Sequence, residues 1–177
     1  MKRVLLHFLT CLLLVVAVII PVYAASTRIT VTVPVRVSSY EFVEDDELNT
    51  CIYGIGEDVA VANLKRAYDK IKIAVLRPDG ETPLLDSETV GTGCIVREYE
   101  SDGSTVAREC VVIIRGDTNG DGVVSSADAL IALKASSGLL EIERPFFCAG
   151  DIDRSGALSS AKALKILRYS AGLEPDM

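Results

Sequence analysis

Residues 117–128 carry the pattern that most limits what this chain can fold into. Oxygen-bearing side chains stand at loop positions 1, 3, 5, 9 and 12 (Asp117, Asn119, Asp121, Ser125 and Asp128), and Gly122 stands at position 6. A hard cation such as calcium takes about six to eight oxygen ligands, and a short loop can supply them only if alternate residues point inward. The glycine takes the sharp turn that other residues resist. Val123 at position 7 would add its carbonyl, and Ser125 at position 9 would act through a water. Ahead of the loop, residues 109–115 read as a strand and not as an entering helix.

The loop recurs. Asp151, Asp153, Ser155, Gly156, Ala157, Ser159 and Lys162 align with it without a gap, 34 residues further on. The register continues: Leu130, Leu133, Lys134, Ser136, Gly138 and Leu139 fall on Leu164, Leu167, Arg168, Ser170, Gly172 and Leu173. Such self-similarity is the mark of a duplicated unit. Each copy is predicted to start a helix near Ser125 or Ser159, both good capping residues, and to stop it at Gly138 or Gly172.

On these residues the segment 116–177 resembles a type I dockerin. That family has two calcium-binding loop-helix repeats, each an EF-hand without its entering helix. The resemblance covers about a third of the chain. It rests on the duplication, the missing first helix and an Asp at position 12. It implies calcium as cofactor and a cohesin module of a scaffolding protein as partner, within an extracellular polysaccharide-degrading complex. It also implies the partner face: Ser126, Ala127, Leu133 and Lys134 in the first repeat, Ser160, Ala161, Leu167 and Arg168 in the second. The plainer reading makes the serines helix caps, the leucines core and the basic residues solvated charges.

The second loop departs from the pattern at the metal. Lys162 stands where Asp128 stands in the first copy, and Ser155 replaces Asp121. The first loop is expected to bind calcium. The second offers Asp151, Asp153, Ser155 and the Ala157 carbonyl as ligands, but with a cation among them. Repulsion in a desolvated site weakens a second ion, or the lysine replaces the ion altogether.

The chain opens with a basic pair, Lys2 and Arg3, then an apolar run to Val22, with Val22 and Ala24 as the small residues at −3 and −1 of a cleavage site. That reads as a secretory signal peptide over 1–24, which makes the protein secreted, extracellular or part of a cell-surface complex. An uncleaved leader would act as a membrane anchor. Four of the five cysteines, Cys51, Cys94, Cys110 and Cys148, lie beyond the leader. An even number in a secreted chain permits disulfides. Cys94 and Cys110 flank the turn at Asp102 and Gly103, where they could face each other, although a tight two-residue turn would pair Cys94 with Val111.

Residues 25–115 read as a small α+β module of unknown function. Ile29 to Val37 alternate with polar residues as a strand. Further strands are predicted over 49–55, 71–76, 92–99 and 105–114, and a helix after Asp58 through Val61, Leu64, Tyr68 and Ile71. The fold class expected for the whole is therefore α+β: a small β-rich module with one helix, then an all-α dockerin of two calcium-loop/helix repeats.

Charge and composition narrow the function. A net charge of −7 with no basic stripe argues against nucleic acid. The single histidine, His7, lies in the leader, which removes histidine-based triads and histidine metal sites. The carboxylates Glu44, Asp45, Asp46, Glu47, Glu98 and Glu100 are expected on solvated loops and an outward strand face, not as a glycosidase pair. No tryptophan is present to stack on sugars. The expectation is a secreted, non-catalytic protein that binds calcium and docks on a cohesin, with no small-molecule substrate. The alternatives are a carbohydrate-active or carbohydrate-binding accessory protein carried by the dockerin, or a calcium-stabilised structural cap without a cohesin partner.

Overall fold

The computed structural model describes residues 40–177. The expected leader and the expected strand at 29–37 lie outside the described residues. Five strands and four helices follow in chain order: β1 (Glu41–Asp45), β2 (Asn49–Tyr53), α1 (Val61–Ala67), β3 (Ile73–Leu76), β4 (Ile95–Tyr99), β5 (Val106–Val112), α2 (Ser126–Ser136), α3 (Arg144–Gly150) and α4 (Ser160–Ser170).

The strands form one mixed sheet in the order β1-β2-β5-β4-β3. Short turns set the antiparallel pairings of β1 with β2 and β4 with β5, and a long connection over 77–94 brings β4 antiparallel to β3. At the β4–β5 turn the Asp102 carboxylate accepts the N–H groups of Ser104 and Thr105, and Gly103 takes a φ of 69°. Local turn chemistry thus fixes the hairpin. β2 lies parallel to β5, with Cys51 opposite Val111 and Ile52 opposite Val112. A parallel pair needs a long crossover, here supplied by α1, β3 and β4.

Side-chain alternation along these strands builds two apolar layers. Ile52, Val96, Cys110 and Val112 point to one face with Val61 and Leu64 of α1. Each fully buried aliphatic there contributes about 2 kcal/mol. Cys51, Tyr53 and Ile113 point to the other face, where Cys148 and Ala149 of α3 cover them. A third cluster, Val124, Ala129, Ala132, Ile152, Ala163 and Ile166, joins α2 to α4.

The expected fold class is corrected by this arrangement. The chain is not a β-rich module followed by an all-α half. It is a mixed five-stranded sheet with four helices, and the described residues 40–177 fall in one compact unit. The physical reason lies in α3, which the sequence pattern did not reveal. Its cysteine and alanine complete the core of the sheet, so the helices draw part of their burial from the strands. The Gly116 N–H also donates to Ala149 O at 2.8 Å.

Smaller expectations also shift. The helix after Asp58 starts at Val61, and Asp58 itself takes a left-handed φ of 54°. Cys94 lies opposite Val112 and Cys110 opposite Val96, and all four cysteines among the described residues are free and buried. Glu98, expected on an outward face, is buried in a two-oxygen ion pair with Arg108.

Candidate functional site

Both repeats fold as loop then helix. Ser125 caps α2: its hydroxyl accepts the Ala127 N–H at 3.2 Å, and Asp128 Oδ2 accepts the Ser125 N–H at 2.8 Å. This reciprocal cap satisfies two helix-start donors. At the far end the Leu139 N–H donates to Lys134 O at 2.9 Å, with Gly138 at a φ of 71°. α4 repeats the design with Ser159 as cap and Gly172 as terminator; there the Leu173 N–H reaches Arg168 O at 2.8 Å.

In the first loop Asp117 and Asp128 are 0 % exposed, whereas Asn119, Asp121 and Val123 are exposed and Ser125 is half-buried. The oxygens of Asp117 accept N–H groups from Gly120 (2.8 Å) and Gly122 (3.1 Å), and a third from Thr92 (2.8 Å). Asp128 Oδ1 accepts from Thr118 (2.9 Å) and Asn119 (3.1 Å). Asp121 Oδ2 accepts from the Asn119 amide at 2.8 Å. Among the described residues, no three His, Cys, Asp or Glu side chains gather into an ion-holding group. Yet the donor set suits a hard cation. Two carboxylates are fully buried, and among the described residues neither forms an ion pair with a lysine or arginine. Burial pushes the Asp117 carboxyl up, its backbone partners pull it down, and the charge of Asp128 adds to the rise. A divalent ion would relieve that strain. Asp117, Asn119, Asp121 and Asp128, with the Val123 carbonyl and Ser125 through water, would hold it.

The second loop is built on the opposite charge logic. Lys162 Nζ bonds the buried Asp151 carboxylate, and it also reaches Asp153 Oδ1 (2.5 Å), Ser155 Oγ (2.8 Å) and Ala157 O (2.6 Å). Asp151 and Lys162 are buried, while Asp153, Ser155 and Ala157 lie at the surface. Burial pulls the Lys162 ammonium down, but its two carboxylate partners outweigh burial and raise it. Lys162 in turn holds the Asp153 carboxyl at about 2. These residues do not fit a calcium ion while the lysine remains.

The first loop is seated on the segment 90–93, which sequence patterns did not mark as part of the site. A Cβ on Gly91 would stand 2.0 Å from Gly120 O, and one on Gly122 would stand 2.5 Å from Val90 O. Backbone packs on backbone because both sides lack side chains. The Asp58 N–H donates to Gly122 O at 2.8 Å, and Glu57 accepts the Val124 N–H at 2.8 Å and the Tyr169 hydroxyl at 3.0 Å.

α2 and α4 pack through alanines. Ala129, Ala132, Ala163 and Ile166 are buried between them, and the small side chains allow close approach. The leucines are thereby left outside. Leu130, Leu133, Leu164 and Leu167 are 51, 45, 54 and 43 % exposed. With Ser126 and Ser160 at one side and Ala129 and Ala163 at the floor, they line a shallow groove of about 250 Å³. Every lining residue is matched by its partner in the other repeat. Of the sequence-derived partner residues, the groove gathers Ser126, Leu133, Ser160 and Leu167. Ala127, Lys134, Ala161 and Arg168 are exposed but do not line it. Leu130 and Leu164, which the repeat register aligns but the expected partner face leaves out, line it as well.

Comparison of the chain with protein-family models, curated proteins and solved structures gives no match.

Proposed function

We propose that this chain is a secreted, non-catalytic calcium-binding adaptor that docks on a cohesin-type module through its two loop-helix repeats. The observation that carries this reading is the duplicated groove between α2 and α4. Three apolar residues and a serine from each repeat meet in matching positions, and the leucines stay exposed. Soluble proteins keep such contiguous apolar surface small unless a partner covers it. Lys134 and Arg168, exposed near the helix ends, would add polar contacts at the rim.

Calcium acts on this face through the first loop. It would neutralise Asp117 and Asp128 and so fix the start of α2, from which Ser126, Leu130 and Leu133 project. Its binding to the folded form alone adds stability by mass action.

The test is binding of the full chain to type I cohesins, with calcium and with chelator. Ser126→Asp with Lys134→Glu disrupts one face, and the matching change at Ser160 and Arg168 disrupts the other. Near-identity of the faces predicts that one altered face costs little affinity and that two altered faces abolish binding. Absence of binding to every cohesin tried, with calcium uptake intact, would leave a calcium-stabilised structural unit as the better reading.

A further inference from the structure

We infer that the second loop is a metal-free counterpart of the first, with the Lys162 ammonium as its resident cation, so that the two repeats respond differently to calcium. The consequence for docking rests on the reading just given; the state of the loop does not.

The geometry is direct. Lys162 Nζ touches Asp151, Asp153 (2.5 Å), Ser155 (2.8 Å) and the Ala157 carbonyl (2.6 Å). These are loop positions 1, 3, 5 and 7, the first four that a calcium ion would use. The ammonium therefore stands where an ion would stand. Three N–H donors serve four oxygens, so the charge is fully engaged. Its stem comes from position 12, on the first turn of α4. In the first repeat that position is Asp128, which turns instead onto the N–H groups of Thr118, Asn119 and Ser125.

The rest of the loop closes around this centre. Asp151 Oδ2 accepts the Gly156 N–H at 2.7 Å, and Asp153 Oδ1 accepts the Ser155 N–H at 3.1 Å. Outside the ring, Arg154 pairs both its terminal nitrogens with Glu41 (2.8 and 2.7 Å) and lies 4.1 Å from the centre of the Tyr53 ring. The loop is thus tied to the sheet edge by bonds that need no metal. A divalent ion could enter only by expelling a largely buried ammonium into which four oxygens already point. Like charges in one desolvated site exclude each other.

Removal of calcium should therefore act on the first repeat alone. The half of the groove contributed by α4, Ser160, Leu164 and Leu167, should stay in place and keep one docking face available in chelator.

The test uses the full chain, calcium chloride titration by calorimetry, and amide hydrogen exchange in calcium and in chelator. Exchange over 151–162 of the wild type should agree within about twofold between the two conditions. Lys162→Asp, which restores the acid found in the first repeat, should take up one calcium more than the wild type. Two calcium ions bound by the wild type would overturn the inference. So would calcium-dependent protection of 151–162, or a folded Lys162→Asp chain that takes up no additional ion. A wild type that binds no calcium at all refutes the calcium reading of the first loop, and the exchange of 151–162 in Lys162→Asp with and without calcium then decides this inference by itself.

Discussion

Thr92 donates its backbone N–H to Asp117 Oδ2 at 2.8 Å, across 25 residues of chain. The same residue accepts the Ile114 N–H on its hydroxyl at 3.1 Å. One residue of the sheet-side segment thus holds both the chain just after β5 and the carboxylate that heads the first loop. The loop is shaped from outside as well as from within, and this joins its geometry to the integrity of the sheet.

The Gly91–Gly120 contact gives the sharpest test of that joint. Gly91→Ala places a Cβ against a backbone carbonyl that has no side-chain slack. Overpacking of this kind costs about 1–3 kcal/mol. Urea unfolding in chelator should show that loss, and calorimetry should show weaker calcium uptake. Gly156→Ala is the control. Nothing lies within 4 Å of it, so only its φ of 84° opposes the change, at about 1 kcal/mol. Equal effects of the two substitutions on calcium uptake would rule out the seating argument.

Asp128 serves the loop and the helix together. It accepts from Thr118, Asn119, the Ser125 N–H and the Ser125 hydroxyl, all between 2.8 and 3.1 Å. Asp128→Ala leaves buried donors without partners, which costs about 3 kcal/mol. It should also abolish calcium uptake by the first loop. A variant that unfolds at the wild-type urea concentration, or binds calcium unchanged, would sink this assignment.

Much of the second half was legible because local chemistry decides it. Ser125, Gly138, Ser159 and Gly172 bound their helices as cap and terminator types should, and the 34-residue repeat aligned α2 with α4. What escaped was non-local. α3 has Pro145 in its first turn but an apolar run too short to separate helix from strand by period. Its place is set by Cys51, Tyr53 and Ile113, far away in sequence. β1 carries Glu41, Glu44 and Asp45, and its pairing with β2 comes from the turn at 46–48 and not from alternation. The leucines of α2 and α4 invite a core reading. The alanines beside them win the interface because they let the helices approach, and the groove follows from that choice.

The four buried cysteines should be inert in the native state. Burial pushes the Cys51 and Cys110 thiols up to about 12, and raises those of Cys94 and Cys148. Thiolate is the reactive form, so almost none is present near neutral pH. A disulfide reagent at mildly alkaline pH should react with none of them in the folded chain and with all four in guanidinium. Fast native reaction of any one would show that its layer opens locally.

Acid should loosen α3 first. Asp45 takes two bonds from the Arg144 guanidinium, the shorter at 2.8 Å, and also accepts the N–H groups of Glu47 and Leu48. The arginine bond, opposed by burial and aided by the backbone donors, holds the Asp45 carboxyl below its ordinary value. A depressed carboxylate contributes stability above its ordinary pKa of about 4 and loses it as pH falls through the lowered value. The Arg144 side chain is 37 % exposed, so solvent screening limits the pair to about 1 kcal/mol. Asp45→Asn keeps an oxygen for the turn donors but removes the charge. Its stability should fall by about that amount at neutral pH and depend less on pH below about 4 than the wild type's. Amide exchange over 144–150 should quicken in acid for the wild type and be quick already in the variant. An unaltered pH profile in Asp45→Asn would mean that α3 is held by its apolar contacts with Cys51 and Ile113 alone.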